Sequence, residues 1–256
     1  MTPLTYLQLK NPDSKDNTIY LDEDTHTYTV NGDTSFISTT TIVHQYFSKF
    51  EPDKIITRMM KSKNWPKSKY YGLTPDEIKH QWESNGKNSR ELGTQLHYAI
   101  ECFYNKNDVE NTTIEYNYFK NYANDFSHLV PYRTEWKIYD NYLKWVGTVD
   151  MLYINTDNSL SIYDWKRSKS IEKTSRYNKW ALEPELSHLP DTNYWHYSLQ
   201  LNIYKYILEN NYNKKIKDMN LVVFHENNSN YKIIPVSDLS NEINILVKLR
   251  KNYLNK

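Results

Sequence analysis

The pattern of apolar and polar residues predicts a chain that begins with short strands and continues with helices. Residues 19–21 and 27–30 are rich in β-branched and aromatic side chains, and Asn31-Gly32 predicts a tight turn after the second run. Between residues 38 and 105 apolar positions recur at helical spacing, and Thr74 to Glu77 is a capping box that starts a helix. We therefore expect an N-terminal β-meander followed by a mainly helical region.

The second half of the chain has the pattern of a sheet with helices around it. Residues 132–139, 143–154 and 160–165 combine β-branched and aromatic residues and are divided by polar turns, which predicts three consecutive antiparallel strands. A helix is expected over 195–210, strands near 221–225 and 231–235, and a last helix after Ser237-Asp238. This order predicts an α/β fold, in which residues 1–85 pack on a core of residues 86–256 and the whole forms one compact unit.

Composition narrows the class of protein. Of the 256 residues, 38% are hydrophobic and 25% charged, as in a globular protein, and no apolar run reaches the roughly 20 residues needed to cross a bilayer. The first ten residues lack the basic start and apolar stretch of a secretory signal, so we expect an intracellular protein without a membrane anchor.

Charge and cysteine content remove two further classes. A net charge of +1 argues against a passive nucleic-acid coat, so any DNA contact must come from a local basic surface. The single cysteine, Cys102, excludes an internal disulfide and an iron–sulfur cluster held by four thiolates of this chain.

The first candidate for chemistry is the triplet Asp164-Trp165-Lys166, which places a carboxylate and an amine on the same face of a predicted strand. The spacing alone is weak evidence, because three other triplets share it and most such pairs are solvated charges or structural salt bridges. These triplets begin at Asp13, Glu77 and Glu135.

The predicted hairpin gives the triplet a context. If residues 156–158 form a three-residue loop, Asn155 pairs with Ser159, and counting back pairs Asp150 with Asp164. Two carboxylates this close repel by about 4 kcal/mol at an effective dielectric near 20, a cost that a divalent cation would remove. Mg²⁺ prefers such oxygen ligands, and phosphodiester hydrolysis is the matching reaction, with Lys166 beside the attacking water.

Two helical pairs add candidates to this site. His97 and Glu101 lie one turn apart on a predicted helix, and an imidazole ligand would favour Mn²⁺ alongside Mg²⁺. Gln200 and Tyr204 also lie one turn apart, on the helix after the catalytic triplet. Each pair alone could be an ordinary polar helix surface.

Taken in order, these motifs resemble the motif series of the RecB-like branch of the PD-(D/E)xK nuclease superfamily. The matching positions lie between residues 93 and 204, and the flanks resemble small stand-alone members, such as viral ones and the mitochondrial genome maintenance exonucleases. Val149 stands where the superfamily name has proline, a form common in this branch. The motifs are Gly93-x-x-x-His97, Glu135, Gly147-Thr148-Val149-Asp150, Asp164-Trp165-Lys166 and Gln200-x-x-x-Tyr204.

The resemblance implies a restriction-endonuclease-like core, a central mixed sheet flanked by helices. It further implies that Mg²⁺ or Mn²⁺ is bound by His97, Asp150, Asp164 and the Trp165 backbone carbonyl. Lys166 would be catalytic, and Glu135 would join the catalytic carboxylates as a metal ligand or as a group next to the ligands.

DNA-binding roles also follow from the resemblance, for Gln200, Tyr204 and Arg90. The polar stretch 168–194 adds basic and aromatic residues directly after the catalytic strand, which could hold phosphates and stack a base, or could simply form a solvated loop. These residues are Lys169, Lys173, Arg176, Lys179 and Trp180.

The function expected from the resemblance is a Mg²⁺- or Mn²⁺-dependent deoxyribonuclease, an exonuclease acting on DNA ends or single strands in replication, recombination or repair. A helicase or recombinase partner is compatible with that role. One alternative is an endonuclease of the same fold. Another is an inactive DNA-binding module, which predicts a lost ligand or lysine, and none is lost. A third takes Glu135-Trp136-Lys137 as the catalytic triplet.

Overall fold

A computed structural model describes residues 5–175 and 177–255. The chain divides into two compact units. The sheet unit contains the described residues of Met1–Ser48 and Leu96–Lys256, and the helical unit is Lys49–Gln95. This division differs from the predicted one at residue 85, since the N-terminal strands group with the core and only the helices after them form a separate unit.

The order of elements follows the predicted one, with two additions. A short first helix and a two-residue third strand were not among the predicted elements, and the helix before the fourth strand had been indicated only by a helix-like segment around Asp125. The helices are α1 (Tyr6–Lys10), α2 (Thr39–Gln45), α3 (Pro52–Met60), α4 (Pro75–Tyr104), α5 (Ile114–Asp125), α6 (Asn193–Asn211) and α7 (Ser240–Leu254). The strands are β1 (Ile19–Asp22), β2 (Thr27–Val30), β3 (Ile37–Ser38), β4 (Val130–Asp140), β5 (Trp145–Ile154), β6 (Leu160–Arg167), β7 (Ile216–Phe224) and β8 (Lys232–Pro235).

The central sheet is mixed, as expected for the α/β class. Strands β4, β5 and β6 pair antiparallel in chain order, which confirms the predicted three-stranded block. Strand β7 pairs parallel to β6, and α6 supplies the crossover that a parallel connection requires. Strand β8 closes one edge antiparallel to β7, β3 pairs parallel with β5, and β1–β2 form a separate hairpin.

Helices cover both faces of this sheet because its strands alternate between two apolar clusters. On β7, Leu221 and Val223 join a cluster with α2, α6 and α7, whereas Val222 and Phe224 join one with α5 and the end of α4. Trp165 packs in the second cluster, between Phe119 and Tyr122. Within the described residues, no helix combines the length and apolar character that crossing a bilayer would take.

A buried ion pair holds the N-terminal segment to β4. Both terminal nitrogens of Arg133 donate to the Asp16 carboxylate at 2.9 Å, and the Trp136 indole donates to the same carboxylate at 3.0 Å. Asn11 adds two links, because its backbone oxygen accepts from Arg133 and its amide donates to the Tyr132 carbonyl. These contacts explain why the segment before β1 packs with the core.

Candidate metal centre

The candidate site lies where strands β5 and β6 separate. Their pairing runs from Ile154–Leu160 to Met151–Tyr163, and the Asn155 amide donates to the Ser159 carbonyl at 2.8 Å, which confirms the predicted register. The next pair in this register would be Asp150 with Asp164. Beyond that point β3 takes the place of β6 as the neighbour of β5, while β6 stays paired with β7, so the two aspartates lie where the strands begin to fork apart.

Gly147 leaves room for two side chains, those of Thr39 and Tyr204, to pack against β5 at this fork. A Cβ atom added at Gly147 would lie 2.5 Å from Tyr204 Cε1 and 2.6 Å from Thr39 Oγ1, so only glycine allows both side chains to pack against β5. The Thr39 hydroxyl donates to the Val146 carbonyl at 2.9 Å and ties α2 to the same place. The glycine of the Gly147 motif therefore serves packing behind the site.

Three potential metal ligands meet beside the fork. His97 from α4, Glu135 from β4 and Asp150 from β5 each offer an atom within 4.8 Å of the other two, and we call them the His97 cluster. His97 Nδ1 lies 3.5 Å from Glu135 Oε1 and 3.6 Å from Asp150 Oδ2. Asp150 Oδ2 also accepts a hydrogen bond from the Trp165 backbone amide at 2.9 Å. Three separate elements thus contribute to one small site.

Glu135 reaches this cluster through an unusual backbone. The pairs Thr134–Met151 and Trp136–Val149 place Glu135 opposite Asp150, and Glu135 has φ of +43°. A non-glycine residue in this region costs on the order of 1–3 kcal/mol, and such strain is concentrated at functional sites. The strained backbone at this candidate ligand position therefore favours a functional role for Glu135.

His97 carries a proton on both ring nitrogens in this arrangement. Nε2 lies 2.9 Å from the Trp165 backbone carbonyl, which can only accept, so Nε2 must donate. Burial disfavours the charged ring, but Asp150 and Glu135 outweigh it and raise the pKa of His97 to about 9. The imidazolium thus partly neutralises the two carboxylates, the role that a divalent cation would take over.

Asp164 and Lys166 form a second pair next to the cluster. Asp164 Oδ2 lies 2.5 Å from Lys166 Nζ, while Oδ1 is buried without a hydrogen-bond partner among the described residues. Burial raises the pKa of Asp164 to about 6. Burial also opposes the charge of Lys166, but the Asp164 and Asp150 carboxylates outweigh it and raise the pKa of Lys166, so this lysine is a cation at neutral pH.

These residues fit a divalent metal ion. Carboxylate oxygens and an imidazole are ligands that Mg²⁺ and Mn²⁺ accept, and the site holds both. A buried carboxylate oxygen without a partner is costly, and the free Oδ1 of Asp164 gives a reason for a cation here. A cation would also offset the mutual repulsion of two or three nearby carboxylates, which is a second reason for one here.

The grouping differs in one respect from the expected ligand set. His97, Asp150 and the Trp165 carbonyl come together as expected, but Asp164 lies outside the His97 cluster and is paired with Lys166. Glu135, expected as a ligand or a neighbour of ligands, lies inside the cluster. The Glu135-Trp136-Lys137 alternative therefore names part of the same site rather than a separate one.

Two of the expected DNA-binding residues form a pair on α6. Gln200 donates to the Tyr204 hydroxyl at 2.8 Å, which confirms that they share a helix face. Tyr204 is only 3% exposed and packs against Gly147, and burial raises its pKa. In this structure its contacts are those of a packing residue, and the expected DNA contact of Tyr204 stays a prediction. The DNA contact of Gln200 stays a prediction.

The other expected DNA-binding residues lie on exposed surface. Lys169, Lys173 and Lys179 are exposed, and Trp180 is 43% exposed in the segment between β6 and α6. Arg176 lies outside the described residues. Arg90 is exposed on α4, within the helical unit. Their roles in DNA binding stay predictions.

Tyr197 is a site residue that the sequence reasoning missed. The Lys166 ammonium lies 4.6 Å from the centre of the Tyr197 ring, an arrangement that stabilises the cation. Tyr197 precedes Gln200 by three residues on α6 and so shares its face. That spacing was the available signal for including Tyr197.

A cavity of about 490 Å³ adjoins Glu135 on the side of the β1–β2 hairpin. Glu23, Lys137 and the buried Arg133 are among its lining residues. Glu101 has its pKa raised to about 7, first by burial and then by the charge of Glu135. Glu101 is therefore only partly charged at neutral pH.

No protein-family model matches the chain, and no curated protein matches it. Among solved structures, one titled "Crystal structure of SSO0001" matches with 14% sequence identity and a TM-score of 0.35, covering 88% of this chain and 78% of that chain.

Proposed function

We propose that this protein is a metal-dependent deoxyribonuclease with a restriction-endonuclease-like core of the RecB-like type. One observation carries the proposal: His97, Glu135 and Asp150 converge within 4.8 Å beside a buried Asp164–Lys166 pair. The motif order seen in the sequence supports the same function. Mg²⁺ or Mn²⁺ would be held by His97, Glu135 and Asp150, together with the Trp165 carbonyl and the free oxygen of Asp164.

When bound, such a cation would activate water and stabilise charge on the phosphate during phosphodiester hydrolysis. The chain's own residues have separate tasks. Lys166, held as a cation by Asp164 and by the Tyr197 ring, would orient the attacking water and offset negative charge that grows on the phosphate. Asp150, fixed by the Trp165 amide, would keep its ligand oxygen in place.

Gln200 would contribute a contact to the DNA strand next to this centre. Its amide nitrogen is bonded to the Tyr204 hydroxyl, and that bond fixes the orientation of the side chain. A half-buried, oriented amide is suited to hold a phosphate or a base edge. Tyr204 would act indirectly, by holding Gln200.

The test is hydrolysis of end-labelled linear DNA and of covalently closed circular DNA, each with Mg²⁺, Mn²⁺ or EDTA. Wild type is compared with Lys166→Ala and with Lys217→Ala, a control at an exposed lysine on β7. We expect cleavage that needs the metal, falls at least 100-fold in Lys166→Ala and is unchanged in Lys217→Ala, because an electrostatic catalytic group contributes on the order of 10²–10³ in rate.

Undiminished cleavage in EDTA or in Lys166→Ala would contradict the mechanism. The two DNA forms separate the modes of action. An exonuclease degrades only the linear molecule, whereas an endonuclease of the same fold also converts the closed circle. Absence of cleavage in every arm, with DNA still bound, would favour the inactive DNA-binding module.

A further inference from the structure

We propose that the helical unit, Lys49–Gln95, is a binding surface for single-stranded DNA, with residues 54–69 as its centre. This inference rests on the proposed nuclease function for the choice of ligand. The binding surface itself is argued from charge, exposure and aromatic side chains within the helical unit.

The charge of the molecule is concentrated in this unit. Lys49–Gln95 contains ten Lys and Arg against six Asp and Glu, whereas the rest of the chain contains 22 against 25. A lysine-rich composition spread over the whole chain would not produce this contrast. The 16 residues from Lys54 to Lys69 contain six Lys and Arg and no acidic residue. The stretch 168–194, which was expected to bind DNA, holds four Lys and Arg and four Asp and Glu.

The cations of this segment are available to a ligand. Lys54 pairs with Glu51, and Asp53 pairs with Lys79, which neutralises the nearest acids. Of the ion pairs among the described residues, none involves the other five cations of the segment. They are Arg58, Lys61, Lys63, Lys67 and Lys69, all exposed.

An open groove of about 760 Å³ runs along α3 in this segment. Lys54, Arg58 and Lys61 line it together with the hydroxyls of Thr57 and Ser62. Its one carboxylate, Asp53, is the partner of Lys79. Cations and hydroxyls on one groove are the donors that contact phosphate oxygens in nucleic-acid complexes.

Aromatic rings accompany the cations. Tyr71 is 60% exposed and its ring centre lies 5.9 Å from that of Trp65. Phe50, 68% exposed, lies against Trp82, whose indole donates to the Tyr70 hydroxyl. Exposed rings between cations favour a single strand, because unpaired bases stack on aromatic faces while lysines follow the backbone. Binding to an anionic membrane would instead require the positive charge together with a deeper apolar face.

The test measures binding apart from cleavage. Fluorescence anisotropy with a labelled 20-nucleotide oligothymidylate is recorded in EDTA at several salt concentrations, for wild type and for the combined variant Lys61→Gln, Lys63→Gln, Lys67→Gln, Lys69→Gln. The matched control carries Lys120→Gln, Lys215→Gln, Lys217→Gln and Lys251→Gln, four exposed lysines of the sheet unit. Both variants lose the same net charge.

We expect the Kd of the first variant to rise at least tenfold at moderate salt and that of the control to change less than twofold. The slope of log K against log salt should fall by about 0.7 for each lost phosphate contact. Tyr71→Ala should weaken binding roughly fivefold to a hundredfold, while Tyr142→Ala, at a 61% exposed tyrosine of the sheet unit, should not.

Equal losses in the two lysine variants would overturn the proposal, because they would show an effect of net charge alone. An unchanged salt slope, or tight binding to anionic phosphatidylserine vesicles without oligonucleotide binding, would overturn it as well. The cleavage assay remains separate. Cleavage that depends on Lys166, with unaltered DNA binding by the lysine variant, would reject this inference and keep the nuclease.

Discussion

At the scale of single residues, the site depends on groups that are stable only in each other's presence. His97 donates to the Trp165 carbonyl and faces Asp150 and Glu135, so its charge offsets theirs. Lys166 does the same for Asp164. Each buried charge is tolerated because its partner is in place, and removing one partner leaves the other costly.

The pKa of His97 leads to a prediction for the metal-free protein. A folded-state pKa of about 9, above the unfolded value near 6.5, gives stability that is complete below pH 6.5 and is lost as the pH rises through 9. In EDTA, the free energy of unfolding of wild type relative to His97→Gln should therefore fall over this window, by at most about 3 kcal/mol. Urea unfolding at pH 6, 7, 8 and 9 measures it.

The exposed His80 provides the control for this measurement. His80→Gln should follow wild type across the series, since the ion pairs of His97 remain intact. A wild-type advantage that stays constant from pH 6 to 9 would show that His97 is not held as an imidazolium by Asp150 and Glu135.

Gly147 gives a prediction about packing. A methyl group at this position overlaps Tyr204 and Thr39, so Gly147→Ala should lower the free energy of unfolding by about 1–3 kcal/mol. Gly93→Ala is the matched control, because a Cβ added there meets nothing within 4 Å apart from its chain neighbours and its own helix backbone, and alanine in a helix should stabilise by about 0.5–1 kcal/mol. Changes of opposite sign are the expected result in thermal or urea unfolding.

At the scale of elements, the register of the β5–β6 hairpin was predictable from the sequence, but the geometry that this register creates around Asp150 was predictable only in part. Counting back from a three-residue loop gave the pairing of β5 with β6, because turn length fixes register. The count could not show that the strands part at Asp150, since β3 and Tyr204 enter the fork from distant parts of the sequence. It also could not show the positive φ of Glu135, which depends on tertiary contacts.

Helix α6 is fixed by an asparagine that its sequence pattern does not single out. Asn202 is 2% exposed, donates to the Ser198 and Ser237 carbonyls and accepts from the Leu239 amide, which joins α6 to the start of α7. Because Gln200 and Tyr204 flank it, Asn202 also sets the position of the helix beside the metal centre.

Asn202→Ala should therefore lower the free energy of unfolding by about 1–3 kcal/mol, because the Leu239 amide and the Ser237 carbonyl lose their buried partner. Asn210→Ala on the same helix is the control, since Asn210 is exposed and makes one bond to the Tyr206 carbonyl. Chemical denaturation of both variants gives the comparison. A cost at Asn202 no larger than that at Asn210 would show that this link contributes little.

At the scale of the whole molecule, the α/β class was predictable from the sequence, whereas the division into units was not. The pattern of strands and helices marks elements, whereas the division depends on which elements share a core. Asp16 and Arg133 are 117 positions apart, and only the folded chain shows that this pair joins the N-terminal segment to β4. The same limit hid the basic helical unit, because a net charge of +1 averages it with the acidic remainder.

The metal centre predicts a change in the stability of the whole protein. A cation that binds only the folded state adds about 2.7 kcal/mol at 100 times its Kd, which for a protein of this size raises Tm by roughly 5–10 °C. Mn²⁺ should give such a shift in wild type, reversed by EDTA, because the ligands of the His97 cluster are brought together by folding. Asp150→Asn should lose most of it, since a ligand charge is removed at the centre of the cluster. Asp108→Asn, at an exposed loop aspartate, should keep it. An equal Mn²⁺ shift in both variants would place the bound metal elsewhere and would remove the main physical support for the proposed chemistry, whatever the outcome of the cleavage assay.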